Sequence, residues 1–122
     1  MSVQTMEIMV KWVDKHVMEN PTLKNMSEFV GYSPYYCSAK FHEYTGLTYK
    51  KYLAKCKINA AAKLLSTSAK RIIDIAFLCG YSSQESFARA FFEVYNCSPT
   101  QYRKGNYHEV NQLSDDASKR VN

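Results

Sequence analysis

Seven basic residues stand between Lys50 and Arg71 with no acidic residue among them: Lys50, Lys51, Lys55, Lys57, Lys63, Lys70 and Arg71. Such a run is either a solvated face or a binding surface for a polyanion. Lysines that neutralise phosphates release the counterions condensed on a nucleic acid, and that release drives binding. The charge around the run is uneven. Residues 31–71 hold eight Lys and Arg against Glu43 alone, a local charge of +7, whereas the whole chain of 122 residues carries +5. Residues 1–30 and residues 105–122 each sum to −1, and residues 72–104 balance.

The other reactive side chains suggest little chemistry. Cys37, Cys56, Cys79 and Cys97 form no CxxC pair and have no histidine at ligand spacing, so neither a metal site nor a cofactor is expected. Cys37 near a helix start and Cys56 between two lysines occupy positions that lower a thiol pKa; reduced core packing is the other reading of cysteines on apolar stripes. Asp74, Glu85, Glu93 and the three histidines show no paired spacing, and no Ser/His/Asp or phosphate-loop pattern occurs, so catalysis is not expected. No apolar run approaches the length of a membrane span, and Glu7 and Asp14 interrupt the first residues as no secretory signal would. A cytoplasmic protein with reduced thiols, away from any membrane, is the expectation.

The elements that position these residues read as helices. Only Gly31, Gly46 and Gly80 interrupt the first hundred residues, too few breakers for an all-β domain. Val3, Met6, Val10, Val13 and Val17 form one apolar stripe over residues 3–19, and Asn20-Pro21 ends it. Leu23, Met26 and Val30 make a short second stripe before Gly31. Ser33-Pro34 starts a third helix with Cys37, Phe41 and Tyr44 inward, closed by Gly46. Thr48 caps a longer fourth helix to about residue 65, with Leu53, Ile58, Ala61, Ala62 and Leu65 inward. Ile72, Ile75, Ala76 and Cys79 make a fifth stripe closed by Gly80. Ser82 or Ser83 caps a sixth helix, with Phe87 and Phe91 inside and Asn96 taking the left-handed closing position. A final turn follows Ser98-Pro99, and the polar tail reads as frayed or disordered.

Two of these segments are copies of one another. Leu23, Met26, Ser27, Val30 and Gly31-Tyr32-Ser33 match Ile72, Ile75, Ala76, Cys79 and Gly80-Tyr81-Ser82 at an offset of 49. Cys37, Phe41, Gly46 and Tyr52 then match Phe87, Phe91, Asn96 and Tyr102 at an offset of 50. The repeated unit is a short helix, a tight glycine turn and a second helix, the pattern of a helix-turn-helix.

The segment Ile72–Arg103, IIDIAFLCGYSSQESFARAFFEVYNCSPTQYR, resembles the signature of AraC-type bacterial transcription regulators (the AraC/XylS family): I-x-x-I-A, G-F/Y-x-S, F-x-R-x-F and S-P-x-x-Y-R. The first half, GYSPYYCSAKFHEYTGLTYKKYL, resembles the N-terminal half of the same domain. The resemblance implies an all-α fold of about seven helices, two helix-turn-helix subdomains joined by a long linker helix. It places subdomain one at about residues 3–48, the linker at 49–65, subdomain two at 66–104 and a polar tail at 105–122. It implies sequence-specific binding of double-stranded DNA, with one recognition helix in each of two successive major grooves.

Carried over by position, the base-facing residues are Tyr35, Ser38 and Ala39 in the first unit and Gln84, Glu85, Ala88 and Arg89 in the second. Arginine forks onto guanine, glutamine onto adenine, and glutamate accepts from cytosine, whereas the short Ser38 and Ala39 offer a thymine-methyl contact or shape readout. Phosphate contacts fall to Ser33, Lys40, Lys50, Lys51, Lys55, Ser83 and Arg103. For Arg103 a bond to a helix end is an equal alternative, and Pro99 and Tyr102 read as structural.

The sequence departs from the family pattern in three ways. His42 and Phe92 stand where a basic residue commonly follows the last recognition-helix Phe, Cys56 stands where the linker often has an arginine, and Asn96 replaces a glycine. Phe92 either packs against the tail or contacts a partner. Family members usually carry a separate ligand-sensing, dimerising or receiver domain, so the chain reads as the C-terminal piece of a larger regulator or as a short stand-alone member. RNA polymerase is a further partner the resemblance implies. The competing reading is a stand-alone helical interaction module whose basic face docks an acidic protein.

Overall fold

The computed structural model describes residues 2–106. Among these residues the fold is all-α. Helices α1 (Val3–His16), α2 (Leu23–Val30), α3 (Pro34–Thr45), α4 (Tyr49–Thr67), α5 (Ile72–Leu78), α6 (Gln84–Tyr95) and α7 (Pro99–Asn106) follow in order, with one 3-10 turn at Val17–Glu19.

Side-chain caps set most of the starts. The Ser2 hydroxyl accepts from the Thr5 N–H at 3.1 Å. Thr22 and Asn25 cap reciprocally: the Asn25 N–H donates to Thr22 Oγ1 at 3.0 Å, and the Thr22 N–H donates to Asn25 Oδ1 at 3.1 Å. Ser33 accepts from the Tyr36 N–H at 3.2 Å, with Pro34 at the first helical position. Thr48 accepts from the Lys51 N–H at 3.2 Å, and Ser83, not Ser82, accepts from the Ser86 N–H at 3.1 Å. The matched helices α3 and α6 both end on a left-handed residue, Gly46 at φ +81° and Asn96 at φ +58°.

The described residues fall into two compact units, the first through Lys57 and the second from Ile58. Helix α4 contributes its first half to one and its second half to the other. The first core is Met6, Met9, Val13, Val17, Met26, Cys37, Phe41, Tyr49 and Leu53. The second is Ile58, Ala61, Ala62, Leu65, Ile75, Ala76, Cys79, Phe87 and Phe91. The small Ser27 and Ala76 sit at matched positions and both are buried, which lets α2 and α5 approach their partner helices.

Several expectations need correction. Val3 is 64% exposed and Met9 is fully buried. The inward stripe of α1 is Met6, Met9 and Val13, continued by Val17 in the 3-10 turn; Val3 lies in the first turn, ahead of the packed part of the helix. The helix also stops at His16, and a 3-10 turn closes onto Asn20 in the left-handed region. Tyr44 is 44% exposed. The face of α3 defined by Cys37 and Phe41 continues four residues on to Thr45, whose hydroxyl donates to the Phe41 carbonyl at 2.8 Å. Helix α4 extends to Thr67, and the expected final turn is a helix of eight residues. Gly105 and Asn106, placed in the tail by sequence, belong to α7. Residues 107–122 lie outside the described residues, as does any contact of Phe92 with them.

Candidate nucleic-acid interface

Helix α6 separates two functions by face. Phe87 and Phe91 point inward and are fully buried, while Gln84, Glu85 and Arg89 are exposed and Ala88 is partly exposed. Among the described residues the ion pairs are Lys40–Glu43 at 3.2 Å and Arg71–Asp74 at 3.0 Å. Arg89 is in neither, although Glu85 and Glu93 both lie four residues from it on the same helix. A guanidinium held on a helix face with its donor fork open can make a bidentate bond to a planar acceptor.

Helix α3 presents a different surface. Tyr35 is 85% exposed, Ala39 is exposed and Ser38 is half-buried. Lys40 bonds Glu43, which raises its pKa, and its ammonium lies 5.6 Å from the centre of the Tyr36 ring. Lys50, Lys51 and Lys55 are all exposed on the first turns of α4. The Ser33 and Ser83 hydroxyls are engaged as helix caps.

Arg103 contains the helix-end bond that sequence left as one of two options. Its Nε donates to the Leu65 carbonyl at 3.1 Å and its Nη2 to the Ser68 carbonyl at 3.0 Å. These two bonds satisfy acceptors at the C-terminal end of α4 that have no partner within the helix.

Neither candidate thiol is activated. Burial raises the Cys37 thiol. The Cys56 thiol is pushed up to about 12, first by burial and then by the Asp14 carboxylate, to which its Sγ donates at 3.3 Å. Lys55 opposes the shift, but least of all the groups involved. The expectation that flanking lysines lower this pKa fails because Cys56 turns toward α1 and Asp14, where desolvation outweighs a solvent-screened ammonium. Tyr52 donates to the same Asp14 oxygen at 3.1 Å, and its phenol is raised chiefly by burial. Among the described residues no group of three potential ligands could hold a metal ion, and no helix is long and apolar enough to cross a membrane.

A family model described as a helix-turn-helix domain matches residues 26–105. The regulatory protein SoxS of Salmonella typhimurium is 30% identical over 100 residues, covering 82% of this chain and 94% of its own length. The chain belongs to the AraC-type helix-turn-helix family. An uncharacterised helix-turn-helix regulator of Staphylococcus aureus is 36% identical over 92 residues, covering 75% of this chain but only 12% of its own length. The C-terminal domain of AraT, a response regulator of Geobacillus stearothermophilus, superimposes with a TM-score of 0.73 at 29% identity, covering 86% of this chain and 88% of that domain. AraC-type domains are DNA-binding parts of transcription regulators and not enzymes, and this chain shares that general role. Two further features of the fold lie outside the family motifs. One is the link from Asp14 to Tyr52 and Cys56, made across about forty residues of sequence with no local pattern. The other is a shallow groove lined by Ala88, Arg89, Phe92, Glu93 and Ser98. An unusual Phe92 was the only sequence signal for it.

Proposed function

We propose that the chain recognises a specific duplex DNA sequence by setting α3 and α6 into successive major grooves, and that it regulates bacterial transcription by doing so. The observation that carries this reading is the outer face of α6. There Gln84, Glu85 and Arg89 are exposed on a helix seated by the fully buried Phe87 and Phe91, and all three side chains have the chemistry to bond base edges. Ala88 adds a methyl between them. In the first unit Tyr35, Ser38 and Ala39 occupy the matched helix and read by apolar contact or shape.

Lys50, Lys51 and Lys55, with Lys40 once it exchanges Glu43, supply contacts to phosphate. The caps Ser33 and Ser83 mark helix starts whose free N–H groups favour an anion. Arg103 reaches phosphate only by giving up the end of α4. Two unlike recognition helices in one chain call for an asymmetric site of roughly two helical turns, bound by a monomer. RNA polymerase and a sensing, dimerising or receiver domain are partners this reading adds for the intact regulator.

Selection of bound sites from a random duplex pool, followed by a salt series on the selected and a random duplex, tests the proposal. One asymmetric motif with a steep salt slope is expected. A flat salt slope with no enriched motif would instead favour a module that docks an acidic protein.

A further inference from the structure

Helix α6 exposes a large apolar side chain where its outer face continues past Arg89. Phe92 is 54% exposed, although its neighbour Phe91 is fully buried. Its ring lines one shallow groove with Ala88, Arg89, Glu93 and Ser98. Ala88 and Phe92 are one turn apart on the helix, so the groove runs along the face that carries Arg89. Leaving a phenyl ring half in water forgoes part of its burial, which makes the groove a place where an apolar group is gained.

We infer that Phe92 is a specificity-determining residue that packs on the C5-methyl of a thymine in the major groove, beside the base pair addressed by Arg89. This rests on the DNA-binding reading above and names a contact that reading does not contain. Three features favour a base methyl over a phosphate or sugar. Phe92 has no donor to offer a phosphate. The Glu93 carboxylate on the same groove repels one. And the groove is continuous with Ala88 and Arg89, so a duplex seated on Arg89 lies beside Phe92, three residues on along the helix. Thymine is the one base that presents a methyl in the major groove. At the matched position of α3 stands His42, which is polar, so the contact belongs to the second unit alone.

The test uses the whole chain and the duplex obtained by random-pool selection, with each thymine replaced in turn by deoxyuridine, which lacks only the methyl. At one position the wild type should lose about fourfold in affinity, the worth of one methyl-sized apolar contact. Phe92→Ala should bind the thymine and deoxyuridine duplexes equally at that position and keep the wild-type ratio at every other. The melting temperature of Phe92→Ala should match wild type, since the ring is half-exposed. The inference is overturned if no deoxyuridine position depends on Phe92, or if Phe92→Ala melts far lower and the ring proves to be a core element. Arg89→Ala separates the two levels. If it loses base preference while Phe92→Ala changes nothing, the thymine contact is wrong and the DNA reading stands. If no duplex is enriched at all, the DNA reading itself is wrong.

Discussion

Tyr102 meets Phe91 edge-on, with ring centres 5.4 Å apart and ring planes at 73°. The first unit repeats the contact fifty residues earlier, where Tyr52 meets Phe41 at 5.0 Å and 80°. In each case the helix that follows, α4 or α7, sets a tyrosine ring in a T-shaped contact with the buried Phe of α3 or α6. That geometry places the positive ring edge against the negative ring face and holds the inner side of the helix while its outer side stays free.

Phe91→Ala should therefore destabilise the second unit by about 3–5 kcal/mol, as for other large-to-small changes in a packed core. Urea unfolding followed by circular dichroism measures it. A loss below about 1 kcal/mol would mean that Phe91 does not seat α6.

Arg89→Ala should weaken binding to the selected duplex by about 1–3 kcal/mol and relax the preference at one base pair. Affinities for a set of single-base variants give the answer. A uniform loss over the set would make Arg89 a phosphate contact.

Replacing Lys50, Lys51 and Lys55 together with Gln should weaken selected and random duplexes alike. The slope of log affinity against log salt should fall by about 0.9 for each phosphate contact removed. An effect confined to one sequence would show that these lysines read bases.

Gly46→Ala should cost about 1–2 kcal/mol through backbone strain alone. The residue sits at φ +81°, and an added Cβ there meets nothing within 4 Å, so no clash contributes. The companion change Asn96→Gly, at φ +58°, should be neutral or slightly stabilising. Thermal melts of the two variants test the pair, and a neutral Gly46→Ala would remove the need for the left-handed cap.

The Cys56 thiol is higher in the folded chain, at about 12, than its ordinary value of 9.0. A raised pKa favours the protonated form, so its contribution to stability is complete below pH 9 and is lost as pH rises toward 12. In the folded protein Cys56 should react slowly with a disulfide reagent at pH 8, and Asp14→Asn should speed it by removing the carboxylate's charge. Equal rates in the two proteins would mean that burial alone holds the thiol.

Much of this protein is local and therefore legible in its sequence. Helix starts at Ser33 and Thr48 and closures at Gly31, Gly46 and Asn96 depend on a few adjacent residues, so the chain's own order reveals them, and it narrows the start of α6 to Ser82 or Ser83. The doubled unit and the buried pair Phe87 and Phe91 follow from periodicity for the same reason. Tertiary packing decided what periodicity leaves degenerate. Met9 and Val3 both satisfy a helical stripe, and only the approach of the other helices of the first unit determines which is buried. Arg103 was equally able to bond a phosphate or a helix end until the carbonyls of Leu65 and Ser68 came within reach. Cys56 lies between two lysines in sequence but against Asp14 in space, and the sign of its pKa shift follows the spatial neighbour. Electrostatics and burial act through distance in the folded chain, not along the sequence, which is why these roles needed the fold.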